Sequence, residues 1–202
     1  MKKLYSLILF VTLAYTLQAQ WVLQIPTNIA ENRGVHMTSS TTGYVVGSDG
    51  IILKTTNAGA LWDTVSSGTS DTLRSVFFCN DTIGYVCGAN GTIRKTIDSG
   101  YTWTALSSNV PNLLRSIYFV NDSVGYACGG GGVILRTLDG GTTWNPQVSG
   151  TTQDLINIRF RDPDNGYCVS SLSTFTSGII LKTVDGGNNW TKVITPQTTG
   201  QV

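Results

Sequence analysis

Charged residues are scarce in this sequence, and two residue types that often serve in catalysis are nearly missing. Charged side chains make up 12% of the 202 residues and the formal net charge is +1, so no strong field attracts nucleic acid or an anionic membrane surface. His36 is the one histidine and Glu31 the one glutamate. A Ser-His-Asp arrangement would depend on His36 alone, and we interpret that residue as an ordinary surface or packing side chain.

Metal-binding and nucleotide-binding patterns are also lacking. The spacing of the cysteines matches no zinc site, and no Walker-type loop or dinucleotide fingerprint follows a strand and opens a helix. We therefore expect neither a metal nor another cofactor. Small buried thiols are the simplest interpretation of the cysteines, although a Cys87–Cys128 disulfide stays open as an alternative. The four cysteines are Cys79, Cys87, Cys128 and Cys168.

The N-terminal segment has the layout of a secretory signal peptide. Lys2 and Lys3 precede an apolar run to about Leu17, and Ala19 offers a small residue at a cleavage point. The run is short for a transmembrane span, which leaves an uncleaved membrane anchor as the lesser alternative. We expect a signal peptide over residues 1–19 and a mature chain, 20–202, that is secreted, periplasmic or held at the cell surface, with no stable membrane span.

A repeat of 41 residues organises the rest of the chain. Gly-Tyr pairs recur at this interval, and four of the five tryptophans keep it, while the fifth follows after 46 residues. The pairs begin at Gly43, Gly84, Gly125 and Gly166, and the tryptophans are Trp21, Trp62, Trp103, Trp144 and Trp190. Such strict self-similarity indicates an array of one supersecondary unit.

Each repeat contains four short strand-like segments, which predicts an all-β fold. Apolar residues alternate with a period of two, and turns rich in Asn, Asp and Gly separate the segments. Four short antiparallel strands in about 41 residues are typical of one β-propeller blade. Counted from the tryptophans, the blades would be 21–61, 62–102, 103–143 and 144–189. An extra strand from Trp190 would make the chain part of a larger propeller, or a truncated one.

One motif recurs between the third and fourth segments of every repeat. Its copies read TTNAGALW (55–62), TIDSGYTW (96–103), TLDGGTTW (137–144) and TVDGGNNW (183–190). Asp or Asn can accept hydrogen bonds from the turn, Gly allows an unusual backbone conformation, and Trp supplies a packing anchor. Because a catalytic group normally occurs once per site, recurrence in every repeat favours a structural role. We assign that role to Asn57, Gly59, Trp62, Asp98, Gly100, Trp103, Asp139, Gly141, Trp144, Asp185, Gly187 and Trp190.

This motif resembles the Asp-box of bacterial sialidase-type (BNR) repeats, Ser/Thr-x-Asp-x-Gly-x-Thr-Trp. With the neighbouring GYVVGSDGIILKT pattern and its three partners, the region 21–196 is similar to the photosystem II stability and assembly factor type of Asp-box propeller. The resemblance implies a non-enzymatic scaffold that binds proteins. A photosynthetic role need not transfer, because fold does not fix function. A sialidase-like glycosidase and an adhesin-type repeat region of a larger surface protein are the alternatives.

A glycosidase needs a pair of carboxylates, and the sequence offers no convincing pair. Most of the eleven Asp residues fall in the motifs or in the predicted turns. A sialidase would also need a Tyr nucleophile with a Glu partner, and nothing joins Glu31 to a particular Tyr. We therefore expect no catalytic residues.

Arginines give the best candidate for binding. Arg33, Arg74 and Arg115 share one repeat position, where the fourth repeat has Ile156. A ring of like charge at one propeller face would suit an acidic peptide or carboxylate, although each arginine could instead brace its own blade. In the resembled family, arginines on the propeller contribute to binding client proteins. We expect a protein partner and no nucleic acid, and we interpret a second basic row (Lys54, Lys95, Arg136 and Lys182) as solvated.

Overall fold

The computed structural model describes residues 31–171 and 178–193, so the expected signal peptide and Trp21 lie outside the described residues. The described chain forms four sheets of four strands, which we number 1 to 4 in chain order. Sheet 1 contains β1 (Asn32–Met37), β2 (Gly43–Gly47), β3 (Ile52–Thr55) and β4 (Asp63–Val65). Sheet 2 contains β5 (Leu73–Phe78), β6 (Gly84–Gly88), β7 (Ile93–Thr96) and β8 (Thr104–Leu106). Sheet 3 contains β9 (Leu114–Phe119), β10 (Gly125–Gly129), β11 (Ile134–Thr137) and β12 (Asn145–Gln147). Sheet 4 contains β13 (Leu155–Phe160), β14 (Gly166–Ser170), β15 (Ile180–Thr183) and β16 (Thr191–Val193).

Every sheet is an antiparallel meander in which strands pair in chain order. Short 3-10 turns join the second and third strands of the first three sheets, and their central residues, Asp49, Asn90 and Gly131, have positive φ. Asn, Asp and Gly tolerate that conformation best, which is why the sequence is polar and Gly-rich there. The expected all-β array of four-stranded antiparallel blades is confirmed. The described residues include no helix of the length and hydrophobicity that a membrane span requires.

The sheets do not have the same boundaries as the blades that were predicted by counting from the tryptophans. The strand after Trp62 is β4, which pairs with β3 and so completes sheet 1 rather than opening a second blade. Likewise the strand after Trp190 is β16, the outer strand of sheet 4, and not an extra strand. The motif turn joins two consecutive strands at close range, and such strands pair with each other more readily than with a distant segment.

The sheets pack face to face, and each contact between neighbours buries a cluster of apolar side chains. Between sheets 3 and 4, Tyr126, Cys128 and Ile134 of sheet 3 contact a larger group from sheet 4. Sheets 2 and 3 repeat the arrangement, and so do sheets 1 and 2. The cysteines are free thiols: Cys87, Cys128 and Cys168 are buried and Cys79 is half-buried. Cys87 and Cys128 lie in different clusters, which disfavours a bridge between them.

A tyrosine of the second strand joins each sheet to the next. The Tyr126 ring stacks on Phe160 of the next sheet at 3.9 Å between centroids. Its hydroxyl donates a 2.7 Å hydrogen bond to the Gly186 carbonyl, inside the motif of that sheet. Equivalent bonds run from Tyr44 to Ser99 and from Tyr85 to Gly140, and all three tyrosines are fully buried. A satisfied hydroxyl on a large apolar ring therefore fixes each sheet on its neighbour.

The second basic row is not solvated as expected. Lys54 is only 6% exposed, and its Nζ donates a 2.9 Å hydrogen bond to the Ser99 carbonyl. Lys95 donates to the Gly140 carbonyl in the same way, and Arg136 Nη1 donates to Asn188 Oδ1. The interpretation was wrong for these three residues, because the motif turn of the next sheet covers their aliphatic chains and offers hydrogen-bond acceptors to their charged ends.

We expect the substitution Tyr126→Phe to lower the free energy of unfolding by about 1–2 kcal/mol, because the buried Gly186 carbonyl loses its donor while the ring packing is kept. Denaturant unfolding would measure the change. Tyr101→Phe is the matched control, since Tyr101 is 68% exposed. An equal loss in both variants would show that the buried hydrogen bond contributes nothing particular.

Candidate functional site

The recurring motif forms a hydrogen-bonded turn between the third and fourth strands. In the third copy, Asp139 Oδ1 accepts bonds from the Thr137 hydroxyl (2.8 Å) and from the Thr143 N–H (2.9 Å). Asp139 Oδ2 accepts from the Thr143 hydroxyl at 2.7 Å, and the Gly141 N–H donates to the Thr137 hydroxyl at 2.8 Å. The carboxylate thus accepts three hydrogen bonds from its own turn, which favours a structural role for it.

The other three copies reproduce this geometry with small departures. Asp98 accepts from Thr102 through both carboxylate oxygens, and Asp185 does the same with Asn189. In the first copy Asn57 Oδ1 accepts from the Leu61 N–H at 2.9 Å, and the side chain of Leu61 offers no second bond. Asn can replace Asp here because one amide oxygen satisfies the central backbone donor.

The glycine and tryptophan of each motif complete the turn. Gly59, Gly100, Gly141 and Gly187 have φ between 76° and 85°. A Cβ at Gly187 would also lie 2.9 Å from the Tyr126 ring, so the glycine is needed for the contact between sheets. Trp144 is 2% exposed and meets Phe119 edge-on at 5.9 Å, and Trp103 is 8% exposed, whereas Trp62 and Trp190 are half-buried.

These bonds lower the pKa of the motif carboxyls. The Thr102 hydroxyl, followed by the Thr102 N–H, lowers the pKa of Asp98 to about 2. The pKa values of Asp139 and Asp185 are lowered for the same reason, by Thr143 and Asn189 respectively. Hydrogen bonds to an ionised carboxylate favour its charged form.

Stability should therefore fall in acid. The folded pKa of Asp98 lies below the ordinary value of about 3.9, so its contribution is complete above pH of about 4 and is lost as the pH falls through about 2. Asp98→Asn should flatten this part of the stability profile, because the amide oxygen still accepts from the turn but does not titrate. Urea unfolding at pH 2 to 6 would measure it. An unchanged acid slope in Asp98→Asn would contradict the assignment.

Within the turn, Thr137 should matter more than a neighbouring exposed threonine. Thr137 is fully buried, and Thr137→Val would remove the acceptor of the Gly141 N–H, so we expect a loss of about 1–3 kcal/mol in the free energy of unfolding. Thr142 is exposed and its hydroxyl contacts only the Asp139 carbonyl at 3.1 Å, so Thr142→Val should cost less than about 0.5 kcal/mol. Equal losses in the two variants would be inconsistent with this geometry.

A different feature brings together the three arginines singled out in the sequence. The register of each first strand shifts by one residue beside its second strand, and the skipped residues are Arg33, Arg74, Arg115 and Ile156. They are bulge residues inside the strands rather than residues just before them. A β-bulge redirects a side chain out of the regular alternation. These four residues line one cavity of about 250 Å³.

The three guanidinium groups have different surroundings. Arg33 contacts Glu31, and Arg115 Nη2 is 2.9 Å from Asp154 Oδ2. Arg74 forms no ion pair within the described part of the chain, and its Nε is buried without a hydrogen-bond partner. Burial lowers the pKa of Arg74, and the positive charges of Arg33 and Arg115 lower it further. The charge of Glu31 opposes this effect only in part, so the Arg74 side chain lies among positive neighbours without an ion-pair partner of its own in the described part of the chain.

Residues not anticipated from the sequence extend this cavity. Ser75, Ser116, Asn157 and Arg159 lie along an adjoining part of it, also of about 250 Å³. Arg159 Nη1 donates to Ser116 Oγ at 3.1 Å. The serines follow the bulge arginines directly in sequence, so the same 41-residue spacing would have revealed them.

His36 belongs to a row of side chains across the first strands. Its ring is 5.3 Å from that of Phe77, which is 5.0 Å from Tyr118, and the Arg159 guanidinium lies 5.5 Å from the Tyr118 centroid. Burial, followed by the charge of Arg159, lowers the pKa of His36. The packing role expected for this residue agrees with these contacts.

The described residues offer little for hydrolysis or metal binding. No Asp or Glu lines the arginine cavity in the part of the chain that the structure describes. Glu31, which a sialidase would need beside a tyrosine, contacts Arg33 instead. Over residues 31–171 and 178–193, no three His, Cys, Asp or Glu side chains come close enough together to hold a metal ion.

The four meander sheets, with a hydrogen-bonded Asp-box turn in each, define an Asp-box β-propeller array. Within that class, the model of the family described as photosynthesis system II assembly factor YCF48 matches residues 56–148 and 105–200. The chain belongs to this family. No curated protein sequence matches it.

Solved structures share the fold at low identity. A structure of YCF48 bound to a D1 peptide is 18% identical with a TM-score of 0.69, over 86% of this chain and 56% of that one. YCF48 from Cyanidioschyzon merolae is 18% identical with a TM-score of 0.71, over 89% and 61%. The chain thus spans less than two thirds of either relative. A GH74 enzyme from Niastella koreensis is 19% identical with a TM-score of 0.66, over 83% of this chain and 30% of that enzyme.

Proposed function

We propose that this protein is an exported, non-enzymatic binding module that holds an acidic segment of a partner protein in the arginine cavity. The observation that carries the proposal is the convergence of Arg33, Arg74 and Arg115 on one cavity while Arg74 lacks an acidic partner among the described residues. Export rests on the signal-peptide layout of residues 1–19.

Electrostatics favours a carboxylate as the group that enters. Three guanidinium groups around one cavity repel each other, and Glu31 and Asp154 compensate only two of them. A carboxylate facing Arg74 would relieve that repulsion. It would also accept two parallel hydrogen bonds from the planar guanidinium group of Arg74. The serine hydroxyls beside the arginines add neutral polar groups of the kind that orient a bound ligand.

The lining of the cavity favours an acidic segment over a sugar chain. Its two adjoining parts, each of about 250 Å³, have room for a short segment. An acidic side chain or a chain-terminal carboxylate would fit. Glycoside hydrolysis usually needs two carboxylates beside the bond that breaks, and the described lining provides none.

The family relationship supports a peptide as the ligand. One solved relative is a YCF48 protein bound to a D1 peptide, so a propeller of this fold can hold a peptide. The GH74 enzymes share the fold at 14–19% identity, which carries no argument for their activity in this chain. We therefore infer a peptide-binding role from the arginine cavity and do not transfer the particular partner.

Binding of a fluorescent peptide that ends in several Asp and Glu residues would test the proposal. We expect the triple variant Arg33→Gln, Arg74→Gln, Arg115→Gln to weaken binding at least tenfold, and Arg74→Gln to cause the largest single loss. Fluorescence anisotropy at two salt concentrations would measure it, and binding should weaken as salt rises.

Arg161→Gln is the matched control, because the Arg161 side chain is 81% exposed and pairs only with Asp162. It removes one positive charge outside the cavity and should leave affinity nearly unchanged. Circular dichroism would establish that the variants stay folded. Unchanged affinity in a folded triple variant, or equal loss in Arg161→Gln, would refute the arginine cavity as the site.

A further inference from the structure

Among the described residues, two sheet faces have no neighbouring sheet packed against them. We call the face of sheet 1 that points away from sheet 2 the leading face, with Val35, Met37 and Val45. We call the face of sheet 4 that points away from sheet 3 the trailing face, with Tyr167, Val169 and Ile180. Strand register places these residues in the positions that are buried between sheets elsewhere in the chain.

The trailing face has the tyrosine and the basic residue that join one sheet to the next elsewhere in the chain. Tyr167 pairs with Lys182 across β14 and β15, as Tyr126 pairs with Arg136 and Tyr85 with Lys95. The earlier tyrosines are fully buried, whereas Tyr167 is 46% exposed. The same side chain in the same register therefore differs only in having no sheet stacked on it within the described residues.

The leading face has the apolar side chains and the backbone carbonyl against which such a tyrosine packs elsewhere in the chain. Val35 and Met37 are 66% and 47% exposed, while their equivalents Val76 and Phe78 are 6% and 5% exposed beneath sheet 1. The Asp-box of sheet 1 is formed, and its Ala58 has a φ of 58°. Ser99, whose carbonyl accepts from Tyr44, occupies the equivalent position with a φ of 60°. The backbone at Ala58 thus has the same conformation as at Ser99, whose carbonyl accepts a hydrogen bond from a tyrosine hydroxyl.

We propose that the trailing face of one copy of this chain packs on the leading face of a second copy. Tyr167 would stack on Met37 of the second copy and donate its hydroxyl proton in a hydrogen bond to the Ala58 carbonyl. Lys182 would donate to the same carbonyl, as Lys54 and Lys95 do within the chain. We choose a second copy as the occupant for two reasons. In the three contacts between neighbouring sheets, a face like the trailing face packs against the next sheet and its Asp-box turn. The chain carries both the trailing face and the leading face that such a contact needs.

The contact is head-to-tail, so two different surfaces meet. Two copies joined by two such contacts give a ring of eight sheets, which lies within the range of about four to eight blades known for propellers. Closure would also remove both exposed sheet faces. The arginine cavity lies between first strands inside one copy, so this assembly does not depend on the proposed peptide binding.

Light scattering on the purified chain, combined with two face variants, tests the proposal. Met37→Glu places a charge on the leading face at a residue outside the arginine cavity, and Tyr167→Lys places one beside Lys182 on the trailing face. We expect the unaltered chain to show twice the monomer mass at roughly 100 µM and each variant alone to be monomeric. An equimolar mixture of the two variants should restore dimers, because each retains the face that the other lacks.

Ile97→Glu is the control, since Ile97 is 71% exposed on a motif turn and lies on neither face. It should associate like the unaltered chain, and circular dichroism would confirm that all variants are folded. A monomeric unaltered chain at the same concentration would overturn the proposal. A mixture of folded face variants that stays monomeric would overturn it as well, because head-to-tail contact requires their recombination.

Discussion

The contact from a second-strand tyrosine to the Asp-box turn of the next sheet is the interaction on which the array depends. The Tyr85 ring stacks on Phe119 at 3.8 Å, and its hydroxyl reaches the Gly140 carbonyl at 2.9 Å. If the register of the strand were shifted by one residue, this ring would point to the opposite face of the sheet. The hydrogen bond therefore fixes strand register as well as the spacing of the sheets. The contact therefore places a requirement on both sheets. The turn of one sheet must hold its carbonyl in position, and it must have a glycine where the tyrosine ring of the other sheet packs.

The Asp-box meets both requirements with short-range chemistry. Its carboxylate is occupied by neighbouring Thr or Asn donors, which holds the turn, while the positive φ of Gly141 presents the preceding carbonyl toward the neighbouring sheet. Three of the roughly four acceptor positions of this carboxylate are used inside its own turn. The motif therefore serves sheet packing, and function must be sought elsewhere in the molecule.

The bulge at the start of each first strand positions the side chains that we propose for binding. A regular strand would alternate its side chains between two buried sheet faces, where an arginine could not be tolerated. The skipped residue escapes that alternation, so Arg33, Arg74 and Arg115 reach a shared cavity without disturbing the apolar clusters. The bulge residue is thus free of the packing that its neighbours on the strand provide, and it can change, as Ile156 illustrates, without loss of the fold.

The sequence by itself determined the repeat, the all-β class, the Asp-box turns and the common position of the arginines, because each depends on contacts within a few residues or on exact periodicity. It did not place Trp62 and Trp190 in the correct sheet, and it left Lys54 in solvent. Only the tertiary structure decided those points. The partner of the strand after Trp62 is shown by its hydrogen-bonded register, in which Ile52 lies opposite Val65. The covering of Lys54 depends on Ser99, which belongs to the next sheet. The same holds for the cavity: periodicity showed that three arginines are equivalent, whereas the stacking of sheets brought them together and left Arg74 without an ion-pair partner among the described residues.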